Sequence, residues 1–171
     1  MALIAEAVVQ EWLHRDGYFT IRGIRQGIYE VDILAIKYDS ATSQWKCKHV
    51  EVQVSKTPLS YFTKKNAKQL SGDDLKKSVE SWFLKKYNRP QFLQLRSQMT
   101  GSQECQRLFV HGKIKYSQEL LYLQEMGVEV KPFNVVLSEL NKPSTYVTGA
   151  ATDIVQLISS YIQSENANEA K

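Results

Sequence analysis

From Ile28 to Ser55 the chain reads IYEVDILAIKYDSATSQWKCKHVEVQVS, and no other stretch constrains the fold as strongly. Two runs rich in Val and Ile flank the polar turn Asp39 to Gln44, a pattern that predicts neighbouring strands joined by a hairpin. Strand side chains alternate with period two, so Glu30, Asp32, Leu34 and Ile36 share one face of the first run. Cys47, His49, Glu51 and Gln53 share one face of the second. Asp32 precedes Ile33-Leu34-Ala35-Ile36, and Glu51 lies between Val50 and Val52, so each acid stands in sequence that reads as interior strand. Burying an ionised carboxylate costs several kcal/mol unless it is paired, hydrogen-bonded or bound to a metal. Whatever compensates these acids therefore bears on function.

At 171 residues the chain can form one domain with a substantial core. It has no apolar run of the roughly 18 residues that a membrane helix needs. Its N-terminus lacks the regions of a signal peptide, so a cytoplasmic protein without membrane association is expected. Cys47 and Cys105 are the only cysteines, too few for a disulfide scaffold and outside any zinc-binding spacing. The net charge of +4 is unevenly spread: Lys56 to Arg107 holds 11 basic and four acidic residues, a net of +7. Such asymmetry suits an anionic polymer as partner, although a solvated Lys-rich helix face gives the same composition.

Ala2 to Asp16 predicts a helix capped by Gly17. Ala2, Ala5, Val9, Trp12 and Leu13 form its apolar side; Glu6 falls within that side, as an inward acid or as a border residue reaching water or Arg22 or Arg25, while Glu11, His14 and Arg15 fall off it. Tyr18 to Gly23 predicts a strand, with Gly23 to Gly27 as the turn into the hairpin. Ser60 to Leu70 predicts a short helix bearing Lys64, Lys65 and Lys68. Ser71-Gly72-Asp73-Asp74 opens a better-defined helix with Leu75, Val79, Trp82 and Phe83 as its stripe and Lys76, Lys77 and Lys85 off it. Tyr61, Phe62, Tyr87 and Phe92 are aromatic candidates for contact with a nucleic acid.

Phe92 to Gln98 predicts a further helix. Arg107 to Ile114, Ser117 to Met126 with Gly127, and Val128 to Lys131 predict strand, helix and strand, a progression that implies a parallel crossover. Val135 to Leu140 and Ala151 to Ser164 carry helical spacing, and the polar end of the chain is expected to fray. With no internal repeat or linker, a single domain is expected: a core over residues 1–132, a helical addition over 133–164 and a tail over 165–171.

A helix with an inward Glu, a strand, a strand bearing Asp, a strand bearing Glu-x-Gln, a helix and a strand follow in that order. The arrangement resembles the PD-(D/E)XK nuclease superfamily, the fold of many restriction endonucleases, archaeal Holliday-junction resolvases and RecB-type nuclease domains. Glu6, Glu30-Val31-Asp32-Ile33-Leu34-Ala35 and His49-Val50-Glu51-Val52-Gln53-Val54 carry the likeness. It implies an α/β fold with a three-layer restriction endonuclease-like core, α-β-β-β-α-β, and a mixed central sheet flanked by helices. The implied activity is metal-dependent endodeoxyribonuclease action on DNA, of a restriction, homing or recombination type. Asp32 and Glu51 would hold Mg²⁺, or Mn²⁺ as substitute, with the Val52 carbonyl as a further oxygen and Glu6 acting directly or through water. The ion would relieve the repulsion of the two carboxylates, about 4 kcal/mol at ~4 Å and an effective dielectric near 20.

Lysine is usual in the family where this chain has Gln53. Glutamine carries no charge, although its amide can donate to a water or a phosphate. A lysine arriving from elsewhere, such as Lys56, Lys64 or Lys68, would restore the charge; without one, the chain is a DNA-binding module that keeps the fold and has lost catalysis. Lys56, Lys64, Lys65, Lys68, Lys76 and Lys77 are the expected phosphate contacts, and a homodimer would provide one site per DNA strand. His49 shares the face of Glu51, as a structural residue or a proton-transfer partner. A purely structural network pairing Asp32 and Glu51 with Arg22, Arg25 or Arg107 stands as the alternative to the whole set.

Overall fold

The computed structural model describes residues 2–55, 72–101, 104–140 and 153. In chain order the elements are α1 (Ala2–Arg15), β1 (Phe19–Gln26), β2 (Tyr29–Asp39), β3 (Gln44–Gln53), α2 (Gly72–Tyr87), α3 (Pro90–Thr100), β4 (Gln106–His111), α4 (Ser117–Glu125), β5 (Val128–Pro132) and α5 (Phe133–Leu140). The strands lie in the order β1-β2-β3-β4-β5. Successive hairpins make β1, β2 and β3 antiparallel, and α4 carries the chain across so that β5 runs parallel to β4, as β4 does to β3. The protein is thus α/β, with a five-stranded mixed sheet flanked by helices.

Alternation along the strands sorts the core into two layers. Ile33, Ala35, Val50, Val52, Leu108 and Val110 face α1 and α5, where they meet Val8, Val9, Leu13, Val136 and Leu140. Phe109 and Val128 face the other way and meet Leu75, Val79, Phe83 and Tyr87 of α2 and Leu123 of α4. The acids of β2 and β3 stand on this second face. Arg96 of α3 is fully buried and donates to the carbonyl of Tyr87 at 2.5 Å, clamping the end of α2 to α3.

Several expectations need correction. Gly23 does not begin a turn: β1 runs through it to Gln26, and the two-residue turn is Gly27-Ile28. Gly23 has φ +65°, which a side chain would strain. In the antiparallel register it stands opposite Asp32, since Arg22 pairs with Ile33 and Ile24 with Val31. Glu11 does not point away from the core; it is fully buried, with Arg15 Nε donating to it at 3.0 Å and Arg15 in turn donating to the Leu140 carbonyl of α5. Tyr87 and Phe92 are core residues rather than free aromatics, and the Tyr87 hydroxyl donates to the Leu108 carbonyl at 2.8 Å. The expected helix over 60–70, with Tyr61 and Phe62, and the helical spacing over 151–164 lie outside the described residues, save residue 153.

Among the described residues no helix is long and apolar enough to cross a membrane. Cys47 and Cys105, expected to be too few for a disulfide framework, nevertheless form one bond across the entrances of β3 and β4. Disulfides persist in oxidising compartments and are rare where glutathione keeps thiols reduced, so the thiol state in cells bears directly on the cytoplasmic expectation. Non-reducing digestion is expected to yield a peptide joining Cys47 to Cys105. Replacing both by Ala is expected to lower stability by about 2–4 kcal/mol in oxidised protein, measured by urea unfolding with and without reductant.

Candidate active site

The pairing of β2 with β3 runs from Asp39 and Gln44 at the turn to Ile33 and Val50, and there it stops. β2 continues beside β1 as far as Tyr29, while β3 continues beside β4 as far as Gln53. The two strands part at Asp32 and Glu51, the next residues on each, which stand on the same face. The fork leaves the backbone amide of Val52 without a ladder partner, and Asp32 Oδ2 accepts from it at 2.8 Å. A residue whose amide points to one edge of its strand also presents its carbonyl there, so the Val52 carbonyl lies along the same edge. Gly23, opposite Asp32 on β1, places no side chain over that position.

Glu51 is fully buried. On one side His49 Nε2 lies 3.4 Å from Glu51 Oε1. His49 is itself fully buried, with its ring against those of Tyr87 and Phe92 at 4.9 and 5.6 Å. Burial, and then the Arg96 guanidinium, hold its pKa down to about 3. The imidazole is therefore neutral, and the tautomer protonated at Nε2 donates to Glu51. On the other side Lys86 Nζ of α2 lies 2.6 Å from Glu51 Oε2. The contact is a charge-assisted hydrogen bond, the ammonium donating to the carboxylate.

The electrostatics follow from the loss of water. Burial first, and then the neighbouring Glu51 charge, push Asp32 up to about 7, against the opposing pull of Lys86 and the Val52 amide. Burial also lifts Glu51 to about 7, although Lys86 and a hydrogen bond with Asp32 act to lower it. Burial pulls Lys86 down, but Glu51 and Asp32 more than offset that, so its pKa is raised. Glu6 is buried on α1, and its carboxyl is raised by burial and then by the Asp32 charge, with Arg22 opposing. Its charge acts on Asp32 and Glu51 through space, but among the described residues no three His, Cys, Asp or Glu side chains come within metal-holding distance.

Among the described residues the cation beside Glu51 is Lys86 rather than Arg22, Arg25 or Arg107. Arg25 bonds Glu30 at 2.9 Å, and Arg107 reaches Asn88 and lies over the Phe83 ring. Gln53 is half-buried, and its Oε1 has no hydrogen-bond partner among the described residues. Lys56, Lys64, Lys65 and Lys68 lie outside those residues. Lys76 turns to α4, where it meets Glu125 at 3.2 Å. Lys77 lines an open groove of about 450 Å³ along the outer side of α2 with Lys85, Asn88 and Arg89.

Lys86 is the residue that sequence reasoning missed. Its signal was present: it lies seven residues after Val79 and three after Phe83, hence on the buried stripe. A lysine on an apolar stripe deserves the same question as Glu6 on α1.

No protein-family model and no curated protein matches the sequence. The structure is similar to the crystal structure of AF1548, a protein of unknown function, with a TM-score of 0.48 and 13% identity over 81% of this chain. The chain spans 66% of the length of that protein.

The raised carboxylates make a linkage prediction for metal-free protein. Their folded pKa values lie above the unfolded ones, so the stability they contribute is complete below about pH 4 and is lost as pH rises to about 7. In EDTA, Asp32→Asn is expected to melt with the parent at pH 4. It should melt higher at pH 8, by about 1 kcal/mol or roughly 2–4 °C. Calorimetry across pH 4–8 checks this, and parallel curves for the two proteins would refute it.

Proposed function

We propose that the protein is a metal-dependent endodeoxyribonuclease of the PD-(D/E)XK type, with the restriction endonuclease-like core its element order suggests. One observation carries the reading: a buried Glu51 and a half-buried Asp32 meet at the fork of β2 and β3, and a lysine from a different element reaches Glu51. Lys86 supplies the charge that Gln53 cannot.

The donor set fits Mg²⁺ or Mn²⁺. Such ions take one or two carboxylates and fill the remaining positions with water and phosphate oxygens, so Asp32, Glu51 and the Val52 carbonyl suffice without a third acid side chain. Glu6 then acts through water. When bound, the ion supplies Lewis-acid chemistry, polarising the scissile phosphate and activating the attacking water.

The chain's own residues do the rest. The Val52 amide holds Asp32 in place, and the neutral His49 holds Glu51 in place. The Lys86 ammonium, held by Glu51, stabilises the charge that grows on the phosphate as water adds and the leaving oxygen departs. The Gln53 amide is left to orient a water. Lys77 and Lys85 of α2 and Arg89 just past its end, with Glu80 among them, line a groove of net positive charge for the DNA backbone.

Plasmid or branched DNA is expected to be cut in Mg²⁺ or Mn²⁺, and Asp32→Ala and Glu51→Ala are expected to abolish cutting while remaining folded. Lys86→Ala should slow cleavage by about 10²-fold or more, with DNA affinity changed far less. Undiminished cutting by either acid variant would remove the assignment. Salt-sensitive DNA binding with no cleavage in any divalent metal would instead identify a binding module that keeps the fold.

A further inference from the structure

Beyond the acid pair, β2 continues back to the β1–β2 turn, and this end of the hairpin carries a feature that the turn itself does not require. Gln26 pairs with Tyr29, leaving the two-residue loop Gly27-Ile28 with Gly27 at φ +64°. A glycine with positive φ at the first central position meets the steric demand of a type II′ turn, and the second position is commonly small and polar. Here it is Ile28, 90% exposed.

The hairpin behind this tip is braced. Arg25 and Glu30, register partners on the two strands, are joined at 2.9 Å. Immediately behind the loop the Tyr29 ring is covered by the Arg89 guanidinium at 3.9 Å and meets the edge of Phe92 at 6.5 Å. Arg25 is balanced by Glu30, so the charge beside the tip is that of Arg89, which joins Tyr29 to the groove beside α2. The surroundings therefore favour an anionic partner.

Size selects among partners. One isoleucine falls far below the roughly 800 Å² per side of a protein interface, and the other exposed apolar residues of β1, Phe19 and Ile21, stand toward its opposite end. An isoleucine is instead the size of a base step, and Ile is among the side chains that wedge between stacked bases. Ile28 stands four residues from Asp32, about 13 Å along an extended strand. That reach exceeds the ~7.5 Å depth of a minor groove, so a tip anchored near a phosphate held at the acids can meet the base stack.

We propose that the β1–β2 hairpin is a DNA wedge: Ile28 enters a base step close to the scissile phosphate, and the preferred substrate is duplex DNA already opened or readily kinked there. This rests on the nuclease reading, which supplies the phosphate at Asp32 and Glu51. Isoleucine at the tip thus selects for deformability rather than for base edges.

The full chain, in Ca²⁺ to prevent turnover, is titrated with duplexes carrying 2-aminopurine at successive steps, with parallel cleavage in Mn²⁺. Binding by the parent should raise the fluorescence of one or two neighbouring steps; Ile28→Ala and Ile28→Ser should abolish that rise, and Ile28→Leu should keep it. Ile28→Ala should weaken binding to intact duplex by about tenfold while leaving binding to a duplex with a bulge at the same step nearly unchanged. DNA binding with Mn²⁺ cleavage but without any fluorescence change, or with one that Ile28→Ala retains, overturns the wedge and leaves the nuclease reading standing. Self-association that Ile28→Ala abolishes, with no effect on DNA, also overturns it in favour of a protein contact. Absence of both DNA binding and cleavage in the parent removes the nuclease reading, and the wedge with it.

Discussion

Two carboxylates deprived of most of their water lie side by side where β2 and β3 part company. Neither is at rest there alone: burial raises both, and each raises or bonds the other. The local structure is arranged around that cost. The strands must fork so that the Val52 amide is released to Asp32, β1 must carry a glycine beside it, and α2 must run close enough for Lys86 to reach Glu51. Removing one partner from such a group strands a buried charge, which is more costly than never having buried it.

α2 serves both layers of the argument. Its inner stripe of Leu75, Val79, Phe83 and Tyr87 fills the core against Phe109 and Leu123, which fixes its rotation about its own axis. That rotation turns Lys86 inward to the acids and leaves Lys77 and Lys85 outward in the groove. Packing of apolar side chains thus decides which lysine meets the acids and which remain for a phosphate backbone. Arg96 and Arg89 then tie the following helix and the β1–β2 hairpin to the same end of α2.

Much of the architecture was legible because it follows local rules. Period-two alternation located β2 and β3 and put Asp32 and Glu51 on one face; helical spacing located α1, α2 and α4; strand, helix, Gly and strand implied the parallel crossover of β4 and β5. Local rules failed where a distant segment changed the environment. Glu11 looked solvent-facing because α5, more than a hundred residues on, could not be seen to cover it. Tyr87 and Phe92 looked free because nothing near them in sequence reveals that His49 packs between their rings. Cys47 and Cys105 were too few to argue from, and only the parallel pairing of β3 with β4 brings them together.

From sequence alone come the α/β class, the hairpin at the centre and the presence of acids in strands that should be apolar, since backbone periodicity and the cost of buried charge depend only on neighbouring residues. Tertiary structure decided what answers those acids. Whether Arg22, Arg107 or a lysine stands beside Glu51 depends on how α2 is rotated against the sheet, and that is set by contacts among residues scattered from Leu75 to Val128. A charge acts over a few ångströms of space, whereas the sequence records only distance along the chain.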